Sequence, residues 1–458
     1  MESVNPFTGE VIERYEEMRE AQVDAAIEQA HRAHLSWRGK GFSDRGAPLR
    51  RAAQLLRERE REYGRLMTVE MGKPIRDAMG EARKCATGCE FYAERAEAYL
   101  APQTVALEGR KGQVVFNPLG VILAVMPWNF PFWQVIRCAA PALMAGNAVV
   151  LKHAANVSGC ALALETLFRD AGYPEDLFRT LLIPSRAVAR VIEHPLIRAV
   201  SLTGSGPAGR AVAAKAGECL KKTVLELGGS DAYLVLNDAD VAFAAALSAK
   251  GRLVNGGQSC IAAKRFIVAE GLCDAFEAHL VEEMQKAKMG DPLDETTTLG
   301  PLARHDLRDE LHAQVQQSIS RGARLLCGGT IPEGPGALYP PTVLGDLAKG
   351  MAAHDDELFG PVASVIRARD EADALRIAND SPFGLGGGIF TRDLAHGEEL
   401  AATAMDAGLV FVNATVESNP LLPFGGIKES GYGRELSSFG IQEFTNIKTV
   451  VVAPHGAT

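Results

Sequence analysis

Short apolar runs rich in β-branched residues alternate with runs of helical periodicity in the middle of this chain. The predicted strands are 120–127, 147–152, 197–205 and 222–227, and the predicted helices between the first of them are 131–146 and 158–172. Strands separated by helices at this spacing form a parallel sheet that is covered by helices. We therefore predict a doubly wound α/β domain of the Rossmann type.

A second α/β series follows the two glycines at 228 and 229. Its predicted strands are 232–237, 264–270, 363–368 and 408–413, with an Ala-rich helix at about 240–250. A chain of 458 residues is too long for one compact core, so two or three domains are expected. The alternating strand at 448–454 is predicted to pair with a neighbouring subunit, because a free strand edge favours association.

Composition excludes several classes of protein. The net charge of −9 and the absence of basic clusters argue against a nucleic-acid surface. No signal-peptide pattern opens the sequence and no run of eighteen apolar residues occurs, so a cytoplasmic protein is expected. The eight cysteines form neither a CxxC pair nor a Cys/His ligand set, which predicts no metal site.

Cys260 ends the segment Asn-Gly-Gly-Gln-Ser-Cys and is the sharpest local signal. Glycines allow close backbone approach, and a cysteine on such a turn can direct its own N–H at a developing oxyanion. The alternative is a small buried residue, which is the usual fate of a cysteine.

Glu226 lies at the end of an apolar strand and is followed by two glycines. Burial would raise its pKa and make it a usable general base. One alternative is an ion pair with Lys221 or Lys222. Another is ribose binding, because Glu226 lies 20 residues beyond Gly206 of a GxGxxG match that begins at Gly204.

Asn129 lies between a predicted strand and a predicted helix, in the segment Pro-Trp-Asn-Phe-Pro. Its amide could donate a hydrogen bond to an oxyanion. In isolation, a helix cap explains it equally well.

Together these segments resemble the aldehyde dehydrogenase superfamily over nearly the whole chain. The motifs, in the family's order, are VNPFTGEVI, PWNFP, LTGS, ELGG, GGQSC, ELFGP and LPFGGIKESGYGRE. The resemblance implies a Cys260 nucleophile, an oxyanion hole formed by Asn129 and the Cys260 N–H, and Glu226 as the base for hydrolysis of the thioester.

The resemblance also implies a cofactor site and a division into domains. Residues similar to the family's NAD(P)-contacting positions are Trp128, Lys152, Ser205, Glu357 and Phe359. The implied division is a cofactor domain of 1–98 and 119–226, a catalytic domain of 227–430, and an oligomerisation segment of 99–118 and 431–458. A homodimer or homotetramer is the expectation that follows.

Ala155 departs from the Lys-x-x-Glu pattern that is frequent in NAD-preferring members of the family. A carboxylate at this position would repel a 2′-phosphate, whereas Ala155 leaves room and Lys152 supplies positive charge. We therefore predict that NADP is accepted in addition to NAD, and favoured by this site.

The substrate expected from the resemblance is succinate semialdehyde, since the motifs are most similar to the succinate-semialdehyde dehydrogenase branch. Arg137, eight residues after Asn129, is the predicted anchor for the substrate carboxylate, and Ser418 a second donor. A structural ion pair is the alternative for Arg137. Val254 stands where some members carry another arginine, which weakens the prediction of tight selection.

Three other activities compete with this one. Within the family, the enzyme could have broader specificity for aliphatic aldehydes, or it could transfer the acyl group to coenzyme A. Glu226 argues against acyl transfer because a water-activating base would consume the thioester. Outside the family, a non-redox cysteine hydrolase or acyltransferase would need a histidine base, and only His153 lies within a motif segment.

Overall fold

The N-terminal region of the computed structural model, which describes residues 1–454, is a hairpin followed by four helices. These elements are β1 (Glu2–Val4), β2 (Val11–Arg14), α1 (Glu20–Trp37), α2 (Phe42–Glu58), α3 (Glu60–Met71) and α4 (Ile75–Tyr99). The helix α4 packs on α2 and α3 and also on the first helix of the α/β series that follows. It therefore reaches the region of the predicted oxyanion-hole residue.

Two strands that pair with each other in antiparallel fashion precede the first α/β series. The elements of this part are β3 (Gln103–Leu107), β4 (Arg110–Pro118), β5 (Val121–Met126), α5 (Trp133–Met144), β6 (Ala148–His153), α6 (Ser158–Asp170), β7 (Phe178–Thr180), α7 (Val188–Glu193), β8 (Ile197–Thr203), α8 (Gly206–Glu218) and β9 (Lys222–Glu226). Five of the strands pair in parallel in the order β9-β8-β5-β6-β7. Their side chains are almost entirely buried, as expected where helices cover both faces.

The second series forms a separate seven-stranded sheet. Its elements are β10 (Ala232–Val235), α9 (Val241–Leu253), β11 (Arg265–Ala269), α10 (Cys273–Gln285), α11 (His305–Ser320), β12 (Arg324–Cys327), β13 (Thr342–Gly345), α12 (Ala352–Asp355), β14 (Val362–Ala368), α13 (Glu371–Asn379), β15 (Phe383–Gly384), β16 (Gly386–Phe390), α14 (Leu394–Thr403) and β17 (Leu409–Val412). The strand order is β12-β13-β14-β11-β10-β16-β17, and β12 alone runs antiparallel.

The last part of the chain contributes strands to three sheets. Its elements are β18 (Ile427–Lys428), β19 (Gly431–Tyr432), α15 (Ser437–Glu443) and β20 (Thr445–Val452). The long strand β20 pairs antiparallel with β4, which pairs with β3, so that a separate three-stranded sheet forms. The strand β18 pairs with β15.

The predicted fold class is confirmed, since parallel α/β sheets lie where the alternation of strands and helices placed them. One proposed boundary needs correction: Gly431 and Tyr432 were assigned to the oligomerisation segment, but they pair with β9 in the cofactor sheet. A Cβ on Gly431 would lie 2.0 Å from the carbonyl oxygen of Leu225, so glycine permits this close approach. Residues 455–458 of the same segment lie outside the described residues.

Candidate active site

A groove with a cavity volume of about 270 Å³ lies between the two parallel sheets. Six of the residues predicted from the sequence line it: Trp128, Asn129, Ser205, Cys260, Glu357 and Phe359. These residues come from four separate segments of the chain, so their meeting is a result of tertiary structure. The other predicted residues do not line this groove; they are Arg137, Lys152, Ala155, Glu226 and Ser418.

The loop that presents Cys260 is bent by three consecutive residues in left-handed conformations. The φ angles of Asn255, Gly256 and Gly257 are 54°, 64° and 76°. A Cβ on Gly257 would lie 2.1 Å from the carbonyl oxygen of Gly360, which explains why glycine occupies this position. The chain therefore turns sharply just before Cys260 and brings its thiol to the groove.

The surroundings of the Cys260 thiol favour its protonated form. Burial raises its pKa to about 12, while the positive charges of Arg137 and Lys264 act in the opposite direction. The Lys264 ammonium also donates to the backbone carbonyl oxygens of Ser259 (3.0 Å) and Cys260 (2.8 Å). Deprotonation must therefore accompany or precede any reaction in which Cys260 acts as a nucleophile.

Asn129 is tied to the same loop by two hydrogen bonds. Its Nδ2 donates to the carbonyl oxygen of Gln258 at 3.1 Å, and Asn255 Nδ2 donates to the Asn129 carbonyl oxygen at 2.8 Å. The side chain of Asn129 caps no helix, so the alternative interpretation fails. Since Nδ2 carries two protons, one remains for an oxyanion close to the Cys260 backbone.

The turn that holds Asn129 is fixed by a buried ion pair that sequence analysis did not identify. Glu81 on α4 accepts hydrogen bonds from the backbone N–H groups of Phe132 and Trp133, both at 2.9 Å, at the start of α5. Lys73 pairs with the other oxygen of this carboxylate, and its ammonium lies 3.9 Å from the centre of the Phe130 ring. A carboxylate at a helix N-terminus satisfies free N–H groups and interacts favourably with the helix dipole.

Glu226 is buried at the end of β9, and neither carboxylate oxygen has a hydrogen-bond partner among the described residues. Burial, reinforced by the charge of Glu435, raises its pKa well above the ordinary value. The predicted alternative of an ion pair fails, because Lys221 donates to backbone carbonyls and Lys222 pairs with Glu443.

The ribose-binding alternative for Glu226 is also unsupported by the geometry. The Glu226 side chain does not line the groove and is 2% exposed, so it presents too little surface to bind a ribose. A buried carboxyl without partners and with a raised pKa is instead suited to proton transfer.

The groove fits a dinucleotide at both of its ends. Ser205 stands at the N-cap of α8 with its side chain free of capping bonds, and a helix N-terminus attracts phosphate. Glu357 accepts a hydrogen bond from the Gly229 N–H at 3.0 Å, and a Cβ on Gly228 would lie 2.3 Å from its carboxylate. Phe359 packs edge-on against Trp128, with 5.7 Å between ring centres.

Lys152 and Ala155 lie together at the end of β6. The Lys152 ammonium is 3.3 Å from Ser185 Oγ and has no carboxylate partner in residues 1–454. Ala155 is exposed and begins a short 3₁₀ turn. This corner therefore offers a cation, a hydroxyl and open space, which suits a phosphate-bearing ribose.

Arg137 is not positioned as the sequence predicted. Its guanidinium forms a buried ion pair with Glu435, lies 4.5 Å from the ring centre of Phe424, and donates to Thr203 Oγ1 at 3.4 Å. The side chain is only 2% exposed. A charge that is already neutralised inside the protein is a poor anchor for a substrate carboxylate, so the structural ion pair is the better description.

Ser418, the other predicted substrate contact, lies beside a lysine that sequence analysis missed. Lys84 Nζ donates to Ser418 Oγ at 2.6 Å, and Trp133 Nε1 donates to the same oxygen at 3.2 Å. Lys84 and Ser418 lie 334 positions apart in the sequence, so no local pattern could predict their contact.

Within the described range, no group of His, Cys, Asp or Glu side chains could hold a metal ion. No helix found there is long and apolar enough to cross a membrane.

The comparisons with known proteins agree with this geometry. The model of the aldehyde dehydrogenase family matches residues 1–450. The probable NADP(+) succinate-semialdehyde dehydrogenase of Synechocystis sp. is 46% identical over 98% of this chain and 99% of its own length. The NADP(+) enzyme of that name from Mycolicibacterium paratuberculosis is 47% identical over 98% and 96%.

Solved structures of two enzymes share the fold of this chain. The succinic semialdehyde dehydrogenase of Streptococcus pyogenes, in complex with NADP+, superposes with a TM-score of 0.96 at 37% identity, covering 99% of both chains. The succinate-semialdehyde dehydrogenase of Burkholderia pseudomallei gives 0.96 at 34% identity, covering 99% of this chain and 94% of its own. The fold and the groove thus define a dehydrogenase with a cysteine at its centre. The chain belongs to the aldehyde dehydrogenase family, which confirms the predicted family.

The raised pKa of Cys260 predicts a steep pH dependence of its reactivity. Only the thiolate is alkylated, so below a pKa of about 12 the iodoacetamide rate should rise about tenfold per pH unit. Mass spectrometry of the Cys260 peptide between pH 7 and 9 would measure this in the free enzyme, with Cys260→Ala as the control for other thiols. A rate that levels off below pH 8 would contradict the prediction.

Proposed function

We propose that this protein oxidises succinate semialdehyde to succinate with NADP+, and accepts NAD+ as well. The observation that carries the chemistry is the meeting of Cys260 and Asn129 in one groove, with the unpartnered carboxyl of Glu226 buried close by. The relatives named above support the choice of substrate and cofactor, because they match this chain over nearly its full length.

In the proposed reaction, the Cys260 sulfur attacks the aldehyde carbon and loses its proton. The resulting oxyanion is stabilised by Asn129 Nδ2 and the Cys260 backbone N–H. A bound nicotinamide supplies the acceptor for the hydride that leaves this carbon, and the acyl group then remains on Cys260 as a thioester. Glu226, once it has lost its proton, takes a proton from the water that hydrolyses the thioester. The products are the acid, the reduced cofactor and one proton.

A non-redox hydrolase is less compatible with these contacts. Such an enzyme would need an imidazole beside Cys260, and no histidine lines the groove in the described structure. His153 is buried: its Nε2 donates to the carbonyl oxygen of Pro131 at 2.8 Å, and its Nδ1 accepts from the Ala154 N–H at 3.0 Å. Burial also lowers its pKa to about 4, so it stays neutral.

Initial rates of nicotinamide reduction test the proposal. With succinate semialdehyde and NADP+, we expect kcat/KM at least about tenfold above that with butanal, an aldehyde of the same length without the carboxylate. Cys260→Ala should abolish reduction while cofactor binding, followed by fluorescence, persists. Equal rates with both aldehydes would refute the substrate assignment, and no reduction with any aldehyde would refute the activity.

Ala155 should control the choice of cofactor. In Ala155→Glu, a carboxylate beside the 2′-phosphate should lower kcat/KM for NADP+ by about 100-fold, while the value for NAD+ holds or rises. Ala155→Gln, which has the same shape without the charge, separates repulsion from bulk. Equal losses in the two variants would show that crowding, and not charge, determines the preference.

We also propose a homodimer or homotetramer that forms through the three-stranded sheet. The outer edge of β20 is unpaired in the described chain, and five apolar side chains of this sheet are exposed: Val105, Leu107, Ile447, Val451 and Val452. Sedimentation should therefore give a multiple of 48.9 kDa. Ile447→Lys combined with Val451→Lys should give the monomer mass, and an unchanged multimer would place the interface elsewhere.

The reducing cytoplasm is the proposed location. All eight cysteines are free thiols, and a nucleophilic cysteine must remain reduced. Fractionation of cells that express the protein would test this.

A further inference from the structure

Lys84 carries a charge that no carboxylate neutralises. Throughout residues 1–454, no carboxylate oxygen lies within 4.0 Å of its ammonium group, although the side chain is half-buried against α5 and residue 418. Its neighbours are the hydroxyl of Ser418 at 2.6 Å and the ring of Trp133, whose centre is 4.8 Å away. Burial, with Arg137 nearby, lowers the pKa of Lys84, so an anion placed beside it would relieve an unfavourable charge.

The hydroxyl of Ser418 is arranged so that its own proton is free. Its oxygen already accepts from Lys84 Nζ and from Trp133 Nε1, which uses both lone pairs. The hydroxyl hydrogen has no acceptor in the described structure. An ammonium and a hydroxyl proton therefore lie side by side, which suits one carboxylate group.

Lys84 and Trp133 of the cluster lie on the same two helices, α4 and α5, that hold the turn with Asn129. Trp133 begins α5 directly after the turn that holds Asn129, and Glu81, which caps that turn, precedes Lys84 by one helical turn on α4. In succinate semialdehyde, only three carbon–carbon bonds separate the aldehyde carbon from the carboxylate carbon. The group that binds the carboxylate must therefore come from an element next to the Asn129 turn, and Lys84 lies against Trp133 at the start of α5.

Other cations that could bind this carboxylate are missing or already paired. Arg137 is neutralised by Glu435, and position 254 carries an uncharged valine. Lys73 is paired with Glu81 inside the protein. Lys84, by contrast, has no carboxylate partner among the described residues and lies against α5.

We propose that Lys84, held in place by Ser418, binds the carboxylate of the substrate and selects a semialdehyde that carries one. This inference rests on the proposed function, because it names the residue that recognises the proposed substrate. It also assigns Ser418 two tasks, orientation of the Lys84 ammonium and donation of its own proton to the carboxylate.

Steady-state kinetics of the full-length enzyme with succinate semialdehyde and butanal test the assignment. Lys84→Met keeps the length and apolar stem of the side chain but removes the charge. We expect its kcat/KM for succinate semialdehyde to fall about 100-fold, mainly through KM, while the value for butanal changes less than about twofold. Lys84→Arg should recover most of the loss, and Ser418→Ala should cost about tenfold for the semialdehyde alone.

The matched control is Lys40→Met, which removes an exposed lysine from the loop between α1 and α2 and should alter neither substrate. Competitive inhibition by succinate measures binding of the carboxylate without turnover. Lys84→Met should raise the inhibition constant of succinate by about the same factor as it raises KM for the semialdehyde. If butanal and semialdehyde lose activity equally in both Lys84→Met and Ser418→Ala, the role is structural and the inference is overturned.

Failure of the inference can be distinguished from failure of the proposed function. If the wild-type enzyme prefers succinate semialdehyde and Lys84→Met retains that preference, Lys84 is not the anchor, although the proposed function stands. If the wild-type enzyme shows no preference between the two aldehydes, both are overturned.

Discussion

The ion pair between Lys73 and Glu81 is the interaction on which the centre of this structure depends. It lies inside the protein, where an unpaired charge would be strongly destabilising, so each partner requires the other. Through its second oxygen, Glu81 holds the first N–H groups of α5 and thereby fixes the turn that carries Asn129. Asn129 in turn is bonded to the Cys260 loop. Glu81 of α4 thus positions the active-site loop without itself lining the groove.

The same burial determines the charge states around the centre. The pKa values of Cys260 and Glu226 are both raised because their charged forms lose hydration. Arg137 counteracts this for both groups, but its charge is balanced by Glu435. We infer that Arg137 and Glu435 act as an internal electrostatic unit. The cation that binds the substrate carboxylate must then come from another element, and Lys84 on α4 is the residue that we propose for it.

Much of the secondary structure could be predicted from periodicity alone. The strands 120–127 and 147–152 differ by one or two residues from β5 and β6, since buried parallel strands read as continuous apolar runs. The motif residues Cys260, Asn129 and Glu226 were likewise recognisable. The roles of Arg137 and Lys84 could not be recognised from the sequence, because they depend on whether a carboxylate lies next to each side chain in the folded protein. Glu435 and Ser418 lie about 300 positions further along the chain.

The sequence by itself determined the alternation of strands and helices, the family, and the residue types available for chemistry. Such features are local, since they follow from side-chain periodicity and from the glycines required at tight turns. Tertiary structure alone decided which charges are paired and which remain free. Arg137 and Lys84 are both basic residues on helices, but one packs against a buried glutamate and the other against a hydroxyl. That difference arises from packing between distant segments, where burial makes the presence or absence of a partner decisive.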